Sequence, residues 1–199
     1  MAVILPVVAV ALALLILIAF YTSKASMKEK TENLMDATGT SSVNRIASWE
    51  SSNLTALETA VDSMVYLKMK DDEILNYEAQ FLGTYSDFPN GVYLAYEDGK
   101  VLDASGWEPE GDVTQSGWYQ EGMGHDTFTF GEPYQDALTG DYVVTASRKV
   151  PDLNGKTAVV AADVSLSILS DVVSNMEVAA NGDAFIIDGV SGTILAHKD

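Results

Sequence analysis

No cysteine occurs anywhere in the chain, which excludes disulfides, thiolate metal sites and cysteine nucleophiles and leaves the redox compartment undetermined. Basic residues are scarce: 11 Lys and Arg stand against 29 Asp and Glu, a net charge of −18. Such a surface repels phosphates, so no nucleic-acid partner is expected. It suits a solvated exterior or a site that attracts cations. Histidine is limited to His125 and His197, neither in an HExxH-type motif. Both read as surface or loop residues, and no metal site or cofactor is expected. A Gly-rich phosphate loop, a βαβ alternation and an internal repeat are also missing from the pattern.

The strongest positive signal is at the N-terminus. The stretch "AVILPVVAVALALLILIAFY", residues 2–21, carries no charge. At ~1.5 Å per residue it reaches the ~30 Å of a bilayer core. A secretory signal peptide would have a shorter apolar core preceded by basic residues and followed by a small-residue cleavage site. Those features do not flank this run, so residues 1–22 read as a retained membrane anchor. Lys24, Lys28 and Lys30 follow it and, by the positive-inside rule, draw the C-terminal side toward the cytoplasm.

Residues 23–67 read as one long helix with apolar residues at helical spacing: Met27, Leu34, Val43, Ile46, then Leu54, Leu57, Ala60, Val61 and Met64. Its middle, "DATGTSSVN", has poor helix propensity and predicts a kink or break. A second helix is expected over 71–82. The period then changes to two, with strands at 92–96 and 101–104 around Asp98-Gly99. Residues 107–126 read as a long irregular segment rich in aromatics. Three further strands follow, at 127–132, 142–150 and 157–163, the last two joined by Asn154-Gly155. A helix at 165–178 and a hairpin from 183 complete the chain. The fold class is α+β, with an antiparallel meander of about five strands and helices on one face.

Within "PYQDALTGDYVVTASRKVPDLNGKTAVVAADVSL" an apolar strand closes on Asp163, and Tyr134 and Asp136 open the hairpin before it. Two carboxylates near the aromatic pair Trp118-Tyr119 suit a cation, through charge-assisted hydrogen bonds and ~0.5–2 kcal/mol of cation–π attraction. Each has a plain structural alternative. Asp163 or Ser165 can cap the following helix, Asp136 can shape a turn, and Trp118 can be core. Asp136 and Asp163 can also be read as the carboxylate pair of a membrane-anchored glycoside hydrolase, and the whole as a non-sensing adhesion domain.

The stretches "YQDALTGDYVVTASRKV", "GKTAVVAADVSLSILSDVV" and "GDAFIIDGVSGTILAHKD" resemble the double Cache (dCache) extracellular sensor domains of bacterial transmembrane receptors, most common in methyl-accepting chemotaxis proteins and also found in sensor kinases. The resemblance implies an N-terminal transmembrane helix and a sensor outside the cell. It implies a membrane-distal PAS-like subdomain at 23–178 that binds a small ligand without catalysis, and the start of a membrane-proximal subdomain at 179–199. It outweighs the lysine count, and a basic leader ahead of Met1 is expected. On this reading the chain is a receptor fragment that dimerises through its juxtamembrane helix, and its last hairpin is mobile. Amino-acid-binding members carry an arginine two residues before a Trp-Tyr pair, a Tyr-x-Asp and a strand-closing aspartate. The pair falls on Trp118 and Tyr119, the Tyr-x-Asp on Tyr134 and Asp136, the last aspartate on Asp163. Ser116 takes the arginine position and Gly111 that of an upstream tyrosine. The resemblance thus implies that the ammonium half of the ligand site is kept and the carboxylate half is lost, which favours an amine or another cationic or neutral metabolite over an α-amino acid.

Overall fold

The computed structural model describes residues 4–135, 141–176 and 182–198. Helix α1, Ile4–Tyr66, runs for 63 residues without interruption. The break expected in "DATGTSSVN" does not occur. A glycine costs ~1 kcal/mol in a helix interior, and helix α4 (Ser167–Ser174) lies alongside this stretch. Thr38, Gly39 and Ser42 are half-buried there, and Ile168 and Val172 of α4 share grooves with Ala37 and Ser41. Further along, Asn53, Leu57, Ala60, Val61 and Met64 are buried at spacings of one, three and four residues. Met27, Leu34 and Val43, on the earlier part of the stripe, are exposed. The apolar start of α1 is long enough to cross a membrane and wholly uncovered by the rest of the chain.

Helix α2, Asp71–Glu78, begins with three acidic residues, which suit a helix N-terminus, and Glu73 accepts from the Lys70 N–H at 2.8 Å. Asp71 accepts from Tyr96 Oη at 2.7 Å and from Lys100 Nζ at 2.5 Å, which ties the helix start to the first hairpin.

That hairpin is β1 (Tyr93–Tyr96) and β2 (Val101–Asp103). Strands β3 (Thr129–Phe130) and β4 (Tyr134–Gln135) are shorter than the single strand expected over 127–132. Gly131 and Pro133 interrupt the run, and Pro133 has no N–H for a ladder. Strands β5 (Tyr142–Leu153) and β6 (Lys156–Ser165) form the long hairpin, turned at Asn154 and Gly155 with φ of 58° and 80°. The spatial order is β2-β1-β6-β5-β3, with β4 also on β5, all antiparallel. This is not the expected meander. Strand β6 is buried along most of its length on both faces, so it needs a neighbour on each side. Strand β1 supplies the second, across about sixty residues of chain.

The two faces of the sheet do different work. Leu94, Tyr96, Val144, Ala146, Ala158, Val160, Ala162 and Val164 face the main core with α1, α2 and α4. Their alternates, Tyr93, Ala95, Thr145, Ser147, Val159, Ala161 and Asp163, face the other way. A short helix, α3 (Gly117–Gly122), covers that second face, so the helices are not confined to one face as expected. Strands β7 (Phe185–Ile187) and β8 (Ile194–His197) form a separate two-stranded sheet. Ala184 and Ala196 join the main core while Phe185, Ile187 and Ile194 stay exposed. The subdomain boundary expected at 178/179 lies outside the described residues.

Among the described residues, Glu78 is the one acidic side chain fully inside this core. It sits four residues after buried Ile74, on the same face of α2. Neither carboxyl oxygen has a hydrogen-bond partner. Burial, helped by the nearby Asp103 charge, pushes its pKa up to about 9. In the unfolded chain Glu78 ionises near the usual glutamate value, so folding loses stability as pH rises from about 4.5 toward 9. Urea denaturation at pH 5 and pH 8.5 reads this directly. The natural chain is expected to lose on the order of 2–4 kcal/mol between them, at ~1.4 kcal/mol per pKa unit less relaxation, and Glu78→Gln is expected to remove most of that loss.

Candidate functional site

The second face of the sheet carries a polar centre in an otherwise apolar floor. Asp163 lies on β6 opposite Thr145 of β5. One of its oxygens, Oδ1, accepts from Thr145 Oγ1 at 2.7 Å, from Tyr93 Oη at 3.1 Å and from Tyr134 Oη at 3.1 Å. The donors come from β5, β1 and β4, so four strands meet on one carboxylate. Burial first, and then the Asp163 charge, raise the Tyr93 pKa well above the usual phenol value. Tyr93 therefore remains a proton donor across the physiological range.

An aromatic wall stands beside this centre. The Trp118 ring meets Tyr93 edge-on at 5.2 Å, and Trp107 lies 6.3 Å from Tyr93. Helix α3 holds Trp118 in place because Gly122 sits directly on the sheet. A Cβ built there would lie 2.5 Å from Val159 Cγ1 and 3.0 Å from Ser147 Cβ. Tyr119, buried on the inner side of α3, packs with Ala95, Val113 and Val159 and meets Trp118 at 5.9 Å.

Next to the wall is a cavity of about 320 Å³ lined by Trp107, Glu110, Gly111, Asp112, Ser116 and Trp118, among others. Ser116 lies at its edge, but its Oγ donates to Val113 O at 2.6 Å, within its own turn. Among the described residues, no Arg or Lys lines the cavity.

The structure thus brings Trp118, Tyr134 and Asp163 together around Tyr93, sets Ser116 in the adjoining cavity and places Tyr119 behind Trp118. Asp136 lies outside the described residues. Asp163 is inside β6 and makes no helix cap; the N–H of Ser167 goes to Ser165 Oγ at 3.2 Å. Tyr93, Thr145 and Trp107 were not singled out from sequence. Tyr93 and Thr145 look like ordinary alternating strand residues, and only the pairing of β1 and β5 with β6 gives them a common partner.

The Cache domain family matches residues 21–199. The chain belongs to this family. Among characterised receptors, this Cache domain is 28% identical over 195 residues to the methyl-accepting chemotaxis protein PscA of Pseudomonas syringae pv. tomato, covering 97% of the chain and 30% of that receptor. It is 37% identical over 87 residues to McpC of Bacillus subtilis, 43% of the chain and 13% of the receptor. The chain therefore spans less than a third of the length of either relative. In fold it is similar to the sensory domain of the Campylobacter jejuni chemoreceptor Tlp3 with isoleucine bound (TM-score 0.64, 21% identity, 87% of this chain and 71% of that one). It is likewise similar to the ligand-binding domain of Pseudomonas fluorescens CtaA in complex with L-serine (0.67, 22%, 86% and 74%). A Cache domain carried on an uncovered apolar helix is the layout of an extracellular sensor domain held in the membrane.

The close seat of α3 makes Gly122 a test of the site's construction. Gly122→Ala is expected to lower stability by about 1–3 kcal/mol, the usual cost of forcing extra atoms into a packed contact, and to shift the fluorescence of Trp118. Thermal melts and emission spectra check both. Unchanged spectra and stability would mean that α3 does not rest on Val159 and Ser147.

Proposed function

We propose that this Cache domain is the ligand-sensing part of a chemoreceptor and that its small-molecule site is the second face of the sheet, around Trp118, Tyr134 and Asp163, with Asp136 as a further contributor. The convergence of three hydroxyls on Asp163 beside the Trp107–Tyr93–Trp118 wall carries this reading. Aromatic faces next to a carboxylate recognise an organic cation. Tyr93 and Thr145 orient the carboxylate, Tyr119 backs Trp118, and Ser116 borders the space where the rest of the ligand extends.

The ligand class follows from charge. The solved relatives above hold isoleucine and L-serine, both bearing a carboxylate. In this chain the cavity beside Ser116 has Glu110 and Asp112 on its walls and, among the described residues, no basic one, and Ser116 Oγ is turned back to Val113 O. A ligand carboxylate would enter next to like charges without a partner, which is costly. An amine, or a ligand neutral at that end, avoids the cost. Calorimetry with the full chain and matched pairs (2-methylpropylamine against L-valine, ethylamine against L-alanine) decides it. The amine is expected to bind at least tenfold more tightly. Asp163→Asn is expected to weaken it about tenfold or more, the equivalent of the ~1.5–3 kcal/mol of a charged hydrogen bond. Ser116→Arg is expected to move the preference toward the amino acid. Tighter binding of L-valine than of its amine by the natural chain would refute the ligand class.

The exposed Met27, Leu34 and Val43 on α1 give the receptor a surface for pairing with a second copy. Sedimentation equilibrium of the full chain in detergent is expected to show a monomer–dimer equilibrium that shifts with concentration. A strict monomer at every concentration would remove the dimer from the proposal.

A further inference from the structure

Among the described residues, helix α1 meets the sensor domain through apolar contacts with two polar exceptions, at Asn53 and Glu58, and each leads to a strand that holds the site. Asn53 is 4% exposed in the middle of the buried stripe. Its Nδ2 donates to Trp49 O at 3.0 Å and to Asp87 Oδ2 at 3.0 Å. The backbone carbonyl of Asp87 accepts from the N–H of Ser165 at 2.6 Å. Ser165 ends β6, two residues beyond Asp163. An unbroken path of hydrogen bonds and two peptide units thus joins α1 to the carboxylate at the centre of the site. The second exception is Glu58, which accepts from the Arg148 guanidinium of β5 and, at 2.7 Å, from the N–H of Phe128. Arg148 lies three residues beyond Thr145, the donor to Asp163 on that strand.

Apolar packing is non-directional and lets a helix slide along its axis at small cost. A buried amide that donates to a partner outside its own helix favours one axial register, since a slide keeps the Trp49 bond but breaks the one to Asp87, at about 1–3 kcal/mol. We propose that Asn53, through Asp87, sets the register of α1 against the strand bearing Asp163, so that occupancy of the Asp163 position is transmitted to the membrane-directed end of α1. Glu58 and Arg148 form the pivot one and a half turns along the helix. Asn53 and Asp87 are positioning residues here and touch no ligand. The inference rests on the reading of Asp163 as part of the ligand site, but its test needs no ligand. A failed amine titration therefore leaves it standing, and its own failure leaves the ligand reading standing.

The chain has no cysteine, so two introduced ones are its only labels. Spin labels at Asn33→Cys on α1 and Glu97→Cys in the β1–β2 turn, with the full chain in lipid nanodiscs, report the axial position of the helix. Asp163→Ala is expected to move that distance by about 1–2 Å, the size of helix shifts in switching proteins. In the Asn53→Leu background the same substitution is expected to leave the distance unchanged, and Asp87→Ala should reproduce the loss. Hydrogen exchange gives the static counterpart. Asn53→Leu should speed exchange of the Ser165 amide at least tenfold while the Val160 amide, in the middle of β6, stays protected and reports an intact fold. A shift of equal size with and without Asn53, no shift in either background, or an unchanged Ser165 rate would each overturn the proposal.

Discussion

A carboxylate at the end of a strand that is apolar on both faces is the constraint around which this domain is built. Asp163 sits between Ala162 and Val164, both fully buried in the main core. A charge there is tolerable only if the opposite face supplies donors. Tyr93, Thr145 and Tyr134 do so, and each must come from a different strand because each strand offers one residue at that height. The sheet order brings those strands within reach: β1 on one side of β6, and β5 carrying β4 on the other. The topology and the polar centre therefore satisfy one requirement between them.

The same requirement explains what could be read in advance. The apolar run of β6 ending on aspartate, the Asn154-Gly155 turn and the later stripe of α1 are local patterns, and each was legible. Tyr134 and Asp163 drew notice where a hairpin opens on tyrosine and an apolar strand closes on aspartate, and Trp118 entered as a candidate through the resemblance to the amino-acid-binding Cache motif. What escaped depends on pairing across long stretches of chain. Tyr93 and Asp163 are 70 residues apart and become neighbours only through β1 beside β6. Helix α3 has six residues, too few to display a helical period, so Gly117–Gly122 read as irregular. Glu78 escaped for a different reason. Its i,i+4 relation to Ile74 was visible, but a glutamate at that spacing ordinarily marks the edge of a buried face, and here Glu78 is buried with Ile74 on the inner side of α2. The predicted break in α1 failed because weak propensity was weighed without the partner: α4 packs alongside this stretch and leaves Thr38, Gly39 and Ser42 half-buried.

Continuity of α1 has a mechanical consequence. A break at 36–44 would decouple the sensor sheet from the apolar segment, since a flexible joint absorbs small displacements. An unbroken helix carries an axial shift at Asn53 to the membrane-directed end with little loss. The chain is strongly acidic, with a net charge of −18, and Lys24, Lys28 and Lys30 follow directly on the apolar run. Their ammonium groups neutralise part of the acidic field where the helix leaves the membrane.

The geometry of Asp163 also bears on the choice between a sensor and a hydrolase. A carboxylate that attacks a glycosidic carbon or shuttles a proton needs an oxygen turned toward the substrate and able to change its partner during the reaction. Oδ1 of Asp163 instead accepts from three hydroxyls fixed on three strands. These hydroxyls tie that oxygen to β1, β4 and β5, so on the proposed ligand reading a ligand that pulls on the carboxylate also pulls on those strands. Tight coupling of one side chain to the surrounding strands is what a detector requires. It is also why the polar clamps on α1 lead back to β5 and β6, the two strands on which that pull would fall first.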